Sequence, residues 1–178
     1  MKLNSFSPTG EKLRILRRII IFGLVAFFVC IVQCSFFSRL KPFGATPDIT
    51  LGAIAAIIML DNKKTAAVYA VGAGYFLDAI GATPPSLSPV FYLLTVAVLG
   101  FITEKMMPSL LSFSAVMLPT VCLRAVFTYI SLWISLGAFP PPVYLLSVIL
   151  PEMLSTFIFC LPVYFLIKLC MLPIGSRG

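Results

Sequence analysis

Four ionisable residues stand inside apolar stretches of this sequence: Asp48 in ATPDITLG, Asp78 in GAGYFLDAIGA, Arg124 in LPTVCLRAVF and Glu152 in LPEMLSTF. Such residues can do three kinds of work. Two carboxylates held together could share a proton, as in an aspartyl protease. A cation and carboxylates could line a site for a polar solute or a proton path. Or the charges could satisfy one another and set how neighbouring helices pack. The protease reading is weak, because nothing in the spacing of Asp48 and Asp78 marks a catalytic pair. The chain has no His, so a serine or cysteine hydrolase would lack its usual base. Cys30, Cys34, Cys122, Cys160 and Cys170 all lie in apolar runs without metal-ligand spacing and read as small buried residues. No glycine-rich phosphate loop is present. The expectation is a protein with no enzymatic activity, no cofactor and no metal.

Each of the four has its own context. Before Asp48, Thr46 can cap a helix and Pro47 suits its first position. Asp48 then falls in the first turn, at the outer face, where the helix dipole favours an anion; a pairing or partner-contact role stands beside this. Asp78 falls near the end of a helix, where the dipole disfavours a carboxylate. Gly74, Asp78 and Gly81 share a face at i, i+4 and i+7, and glycines there let another backbone approach. The favoured reading is a helix–helix contact, with a ligand or proton-relay role and simple exposure as alternatives. Arg124 belongs to a polar stripe of Thr120, Arg124, Thr128, Ser131 and Ser135, expected to face the bundle interior or a partner. Glu152, with Ser155 and Thr156 on a similar face, lies at a comparable depth. A buried Arg124–Glu152 or Arg124–Asp78 pair is expected.

The elements that must position these residues are helices. The chain of 178 residues is 60% hydrophobic and 11% charged, against about 25% charged in soluble domains. It therefore reads as an all-α integral membrane protein, a compact six-helix bundle in a single domain. Apolar runs place the spans at 19–37, 47–60, 65–80, 90–102, 112–137 and 143–171. The run from Ile19 is too long for a signal-peptide core and is read as a retained first span. The second and fourth runs reach only about 20 Å as helix, against a hydrocarbon core of about 30 Å, so burial inside the bundle is one way to accommodate them. The fifth is long, with a kink at Pro119 or an interfacial first part expected.

The net charge of +7 is a topology signal rather than a nucleic-acid one, since the basic residues cluster at span ends. With six spans, Lys2, Lys12, Arg14, Arg17, Arg18, Lys63, Lys64, Lys105, Lys168 and Arg177 share one side, and Arg39 and Lys41 the other. Both termini are then cytoplasmic.

Several stretches resemble MreD, the rod shape-determining membrane proteins of bacteria. They are VQCSFF ending the first span, TPDITLG opening the second, GAGYFLDAIGA closing the third, LLTVAVLGF in the fourth and LPEMLSTFIFCLPVYFLI in the last. Gln33, Pro47 with Asp48, Gly74 with Asp78 and Gly81, Gly100 and Glu152 carry the likeness in order. The stretch ATPPSLSPVFY departs from it by its prolines. The resemblance implies a non-enzymatic scaffold of lateral wall synthesis in the bacterial cytoplasmic membrane. Its implied partners are MreC, the MreB filament, RodA and a class-B penicillin-binding protein. Gly74, Gly81 and Gly100 are expected as packing positions, and Asp48, Asp78, Arg124 and Glu152 as structural or partner-contact residues. The alternative is a substrate-binding subunit of an energy-coupling-factor vitamin transporter, a fold the MreD family is thought to resemble. Against it, the nearest small-xxx-small pattern on the first span is Ala26 with Cys30, and loop 38–46 is short for a ligand cover.

Overall fold

A computed structural model describes residues 20–175 other than 22, 26, 62, 81–86, 105 and 140. Gly81, Lys105, Arg177 and the basic residues before Ile19 lie outside the described residues. The described residues form helices, turns and loops, with no strand among them. Six principal helices follow one another: α1 (Gly23–Leu40), α2 (Ile49–Leu60), α3 (Lys63–Ala79), α4 (Ser88–Thr103), α5 (Leu110–Leu136) and α6, whose longest part is Leu150–Gly175. Of these, α1, α5 and α6 are long and apolar enough to cross a membrane. Their outer faces carry large exposed apolar side chains such as Leu24, Phe28, Leu111, Ile134, Leu154 and Leu169. A soluble surface does not expose apolar residues on this scale, so the chain is a membrane protein.

The architecture follows from α2. Every residue from Ile49 to Ile58 is buried, and a helix without a polar face must be enclosed on all sides. Helices α3, α4, α5 and α6 pack directly on it. Around it α3 meets α4, α4 meets α5 and α5 meets α6. Helix α1 completes the surround, with Phe27 against Phe76 of α3 at 5.8 Å between ring centroids and Phe37 against Phe159 of α6 at 4.7 Å. At 12 residues, α2 is about 18 Å long, too short to run the full length of α5 or α6.

Glycines set the closest approaches. A Cβ on Gly52 of α2 would stand 2.4 Å from Sγ and 3.1 Å from Cα of Cys160 in α6. A Cβ on Gly74 of α3 would stand 2.6 Å from Cα of Pro89 in α4. At Gly100 the nearest atoms to a Cβ would be those of the flexible Lys63 side chain, from 3.0 Å. That Lys63 side chain forms an ion pair with Glu104 and lies over Phe101. Each charge sits at the end of a helix whose dipole disfavours it, the lysine at the start of α3 and the glutamate at the end of α4, so pairing offsets both.

Helix α5 runs unbroken through Pro119, starts on Ser109, whose side chain accepts from the Ser112 N–H at 3.1 Å, and ends on Gly137 in the left-handed region. It begins two residues earlier than its apolar run indicates, because the Ser109 cap makes those turns helical. Helix α1 extends to Leu40 and contains a π segment at Val32–Phe37. Helix α6 opens with Pro142–Tyr144 and a π segment at Leu145–Ile149. There the Leu150 N–H bonds back to the Leu145 carbonyl, five residues earlier. The next residue, Pro151, has no N–H to give, and its ring crowds the carbonyl four residues back. A widened turn before it is the local solution.

Candidate functional site: a carboxylate at the buried start of α2

A helix that begins among other helices has a chemical problem. The first N–H groups of α2 have no partners within their own helix, and lipid offers none. This sequence solves it with side chains from α1, α6 and the cap residue. Asp48 is the N-cap, and its Oδ1 accepts from the Leu51 N–H at 3.2 Å. The Asp48 N–H donates to Oγ1 of Thr156 in α6 at 2.9 Å. The Thr50 N–H donates to Oε1 of Gln33 in α1 at 2.9 Å, and the Thr50 hydroxyl donates to the same oxygen at 2.6 Å. The Asp48 carbonyl accepts from the Cys160 thiol, with sulfur at 3.7 Å.

The Asp48 carboxylate then gathers the remaining helices. Nε2 of Gln33 donates to Oδ1 at 3.4 Å. The phenol of Tyr92 in α4 lies 2.9 Å from Oδ1 and 2.8 Å from Oδ2; with one hydrogen, it shares its donation between them. Nε of Arg124 in α5 lies 3.4 Å from Oδ2. That approach makes an ion pair by distance, yet Nε is buried without a hydrogen bond. The contact is therefore electrostatic rather than directional. The guanidinium also stacks against Phe91, 5.0 Å from the ring centroid, and Tyr92, at 5.9 Å, which supplies a second attraction in a dry setting. Asp48 is 3% exposed and Arg124 8%.

Five helices thus meet at Asp48, four of them at its carboxylate. Its negative charge has the dipole of α2, one guanidinium and neutral donors around it. This corrects two sequence expectations. Asp48 is the cap itself rather than a first-turn residue after Thr46 and Pro47. And the ion-pair contact of Arg124 is made to Asp48, where Glu152 or Asp78 is the partner the sequence leads one to expect. One physical cause underlies both. Arg124 is near the midpoint of the 27-residue α5, and Thr156 is near the midpoint of the apolar stretch Leu145–Cys170. The start of α2 is level with both, so Asp48 sits at mid-span instead of at the outer end.

The other expected residues are placed as follows. Asp78 is half-buried in the last turn of α3. Glu152 is half-buried in the first turn after the π segment of α6. It shares with Arg124 a crevice between α5 and α6 that Val121, Ala125, Ile149, Met153 and Thr156 also line. Within the polar stripe of α5, Thr120, Arg124 and Ser131 are buried, whereas Ser135 is exposed near the helix end. Gln33, Thr50 and Tyr92 were not singled out as site residues. Gln33 carries the one signal that could have found it, a carboxamide inside an apolar span. A tyrosine in an apolar helix and a threonine one residue past the helix start carry none.

Among the described residues, no group of His, Cys, Asp or Glu is arranged to hold a metal ion. No family model, curated protein or solved structure matches the chain.

Proposed function

We propose that this chain is a non-enzymatic membrane scaffold of the bacterial cell-elongation machinery, of the MreD kind. In this reading it is a six-span protein of the cytoplasmic membrane with both termini inside. It links MreC to RodA, a class-B penicillin-binding protein and the MreB filament. The observation that supports the reading most is the state of Asp48. A short helix starting at mid-span is also how transporters present a positive dipole to an anionic substrate. Here the chain's own carboxylate fills that place and takes donors from Gln33, Leu51 and Tyr92 as well as the charge of Arg124. Polar groups used in this way lock helices together and leave the outer faces to engage other proteins.

The test is made in a rod-shaped bacterium that carries the gene. Depletion rounds the cells, and the tagged chain co-purifies with MreC. Normal rods after depletion, or saturable uptake of a vitamin by vesicles carrying the chain, overturn the reading in favour of a transporter subunit.

A further inference from the structure

We infer that the crevice between α5 and α6 is a docking point for a membrane-spanning helix of another protein, one that presents a carboxamide side chain at mid-span. The crevice is shallow and partly open, with room at its base for little more than a water-sized group, so the tip of a side chain fits and a helix does not. Arg124 lines it, more than nine-tenths buried and with Nε lacking a hydrogen bond. A guanidinium carries five N–H donors in a fixed fork, and the electrostatic contact with Asp48 does not use that capacity up. Glu152 and Thr156 of α6 line the crevice as well. The flanks are apolar and exposed, with Val126 on α5 and Leu150 and Leu154 on α6.

Complementarity selects the occupant. The cation asks for an acceptor, the carboxyl for a donor, and the two lie in one narrow opening. A carboxamide offers both from a neutral group that a membrane helix tolerates better than a charge. Acyl chains offer neither, and lipid headgroups do not reach the midpoint of α5 and α6. A second copy of this chain does not fit either. Its carboxamides are Asn4, Asn62 and Gln33; the first two lie outside the apolar runs, and Gln33 is already bonded to Thr50 and Asp48. The flanking apolar stripe gives the partner helix its packing surface, and the crevice fixes its register. The inference deepens the scaffold reading, on which it rests for the existence of membrane partners.

The probe is a synthetic leucine–alanine helix of about 20 residues with Asn at its centre, compared with the same helix carrying Leu there. Each bears a dansyl group and a photo-reactive leucine, and is added to the full chain in phosphatidylcholine vesicles. Trp133, the single tryptophan, serves as energy-transfer donor. The Asn helix is expected to bind about five-fold more tightly, the scale of interhelical hydrogen bonds in membranes, and its cross-links are expected on α5 and α6. The preference disappears in Glu152→Leu and in Ala125→Leu, which fills the opening. Equal binding of the two helices by the wild-type chain overturns the inference and needs no variant. So do a preference that survives both substitutions, and cross-links confined to α1, α3, α4, lipid or a second copy. Equal binding with cells that still round on depletion removes the crevice and leaves the scaffold. An intact Asn preference with rods unaffected by depletion does the reverse.

Discussion

Asp48 and Arg124 form a buried ion pair, yet their removal is expected to have unequal cost. In Asp48→Ala, Arg124 keeps its charge at mid-span and loses the carboxylate 3.4 Å from it, leaving the faces of Phe91 and Tyr92 and the Glu152 side chain of the shared crevice. Leu51 loses its cap, and Gln33 and Tyr92 lose an acceptor. Stranding one member of a buried pair costs about 3–5 kcal/mol, and the lost cap lies within that range rather than on top of it. In Arg124→Met the carboxylate remains, with Tyr92, Gln33 and the Leu51 N–H still donating and the dipole of α2 still favouring it. The guanidinium contact at 3.4 Å without a hydrogen bond is the weakest of the set by geometry. The expected cost is about 1–2 kcal/mol. The double variant no longer contains the stranded charge, so it should be less damaged than the sum of the singles by about 2 kcal/mol. Reversible unfolding of the purified chain by SDS in mixed micelles, followed by Trp133 fluorescence, measures all three. Equal costs for the two single variants would refute the account of Asp48 as the common acceptor. Strict additivity in the double variant would refute the direct pair.

Three further outcomes follow from the same packing, read by the same unfolding assay. Gly52→Ala should destabilise by about 1–3 kcal/mol, since its Cβ meets Cys160, including backbone; Gly72→Ala, with nothing within 4 Å, should be neutral or stabilising by up to about 1 kcal/mol. A Gly52→Ala protein as stable as the parent would contradict the α2–α6 contact. Thr156→Val removes the acceptor of the Asp48 N–H and should cost about 1–3 kcal/mol, while Thr156→Ser keeps the hydroxyl and should recover most of it; equal losses would point to packing instead of the hydrogen bond. Glu104→Gln should cost less than about 1 kcal/mol and less still at high salt, because its ion pair with Lys63 is exposed; a larger, salt-insensitive loss would contradict that.

The sequence by itself determined the solvent and the class of structure. Composition and long apolar runs require a membrane, and in a membrane a helix satisfies its own backbone, so an all-helical chain follows without reference to any contact. Asp48, Asp78, Arg124 and Glu152 were likewise visible as residues that need a reason, because charge within an apolar run is costly wherever the run ends up. The tertiary structure decided which of them meet. The missing quantity was depth along the membrane normal. Hydropathy reports how long a run is, not where a short helix sits against longer ones. Helix α2 is shorter than α5 by more than half, and it could have lain against either end or the middle. The close approach of Gly52 to Cys160 and the bonds of Asp48 and Thr50 to Thr156 and Gln33 fix that choice. They bring Asp48, 76 residues from Arg124 in sequence, to 3.4 Å in space. No local pattern encodes such a meeting, because it arises from the relative offset of separate helices, which only their mutual packing sets.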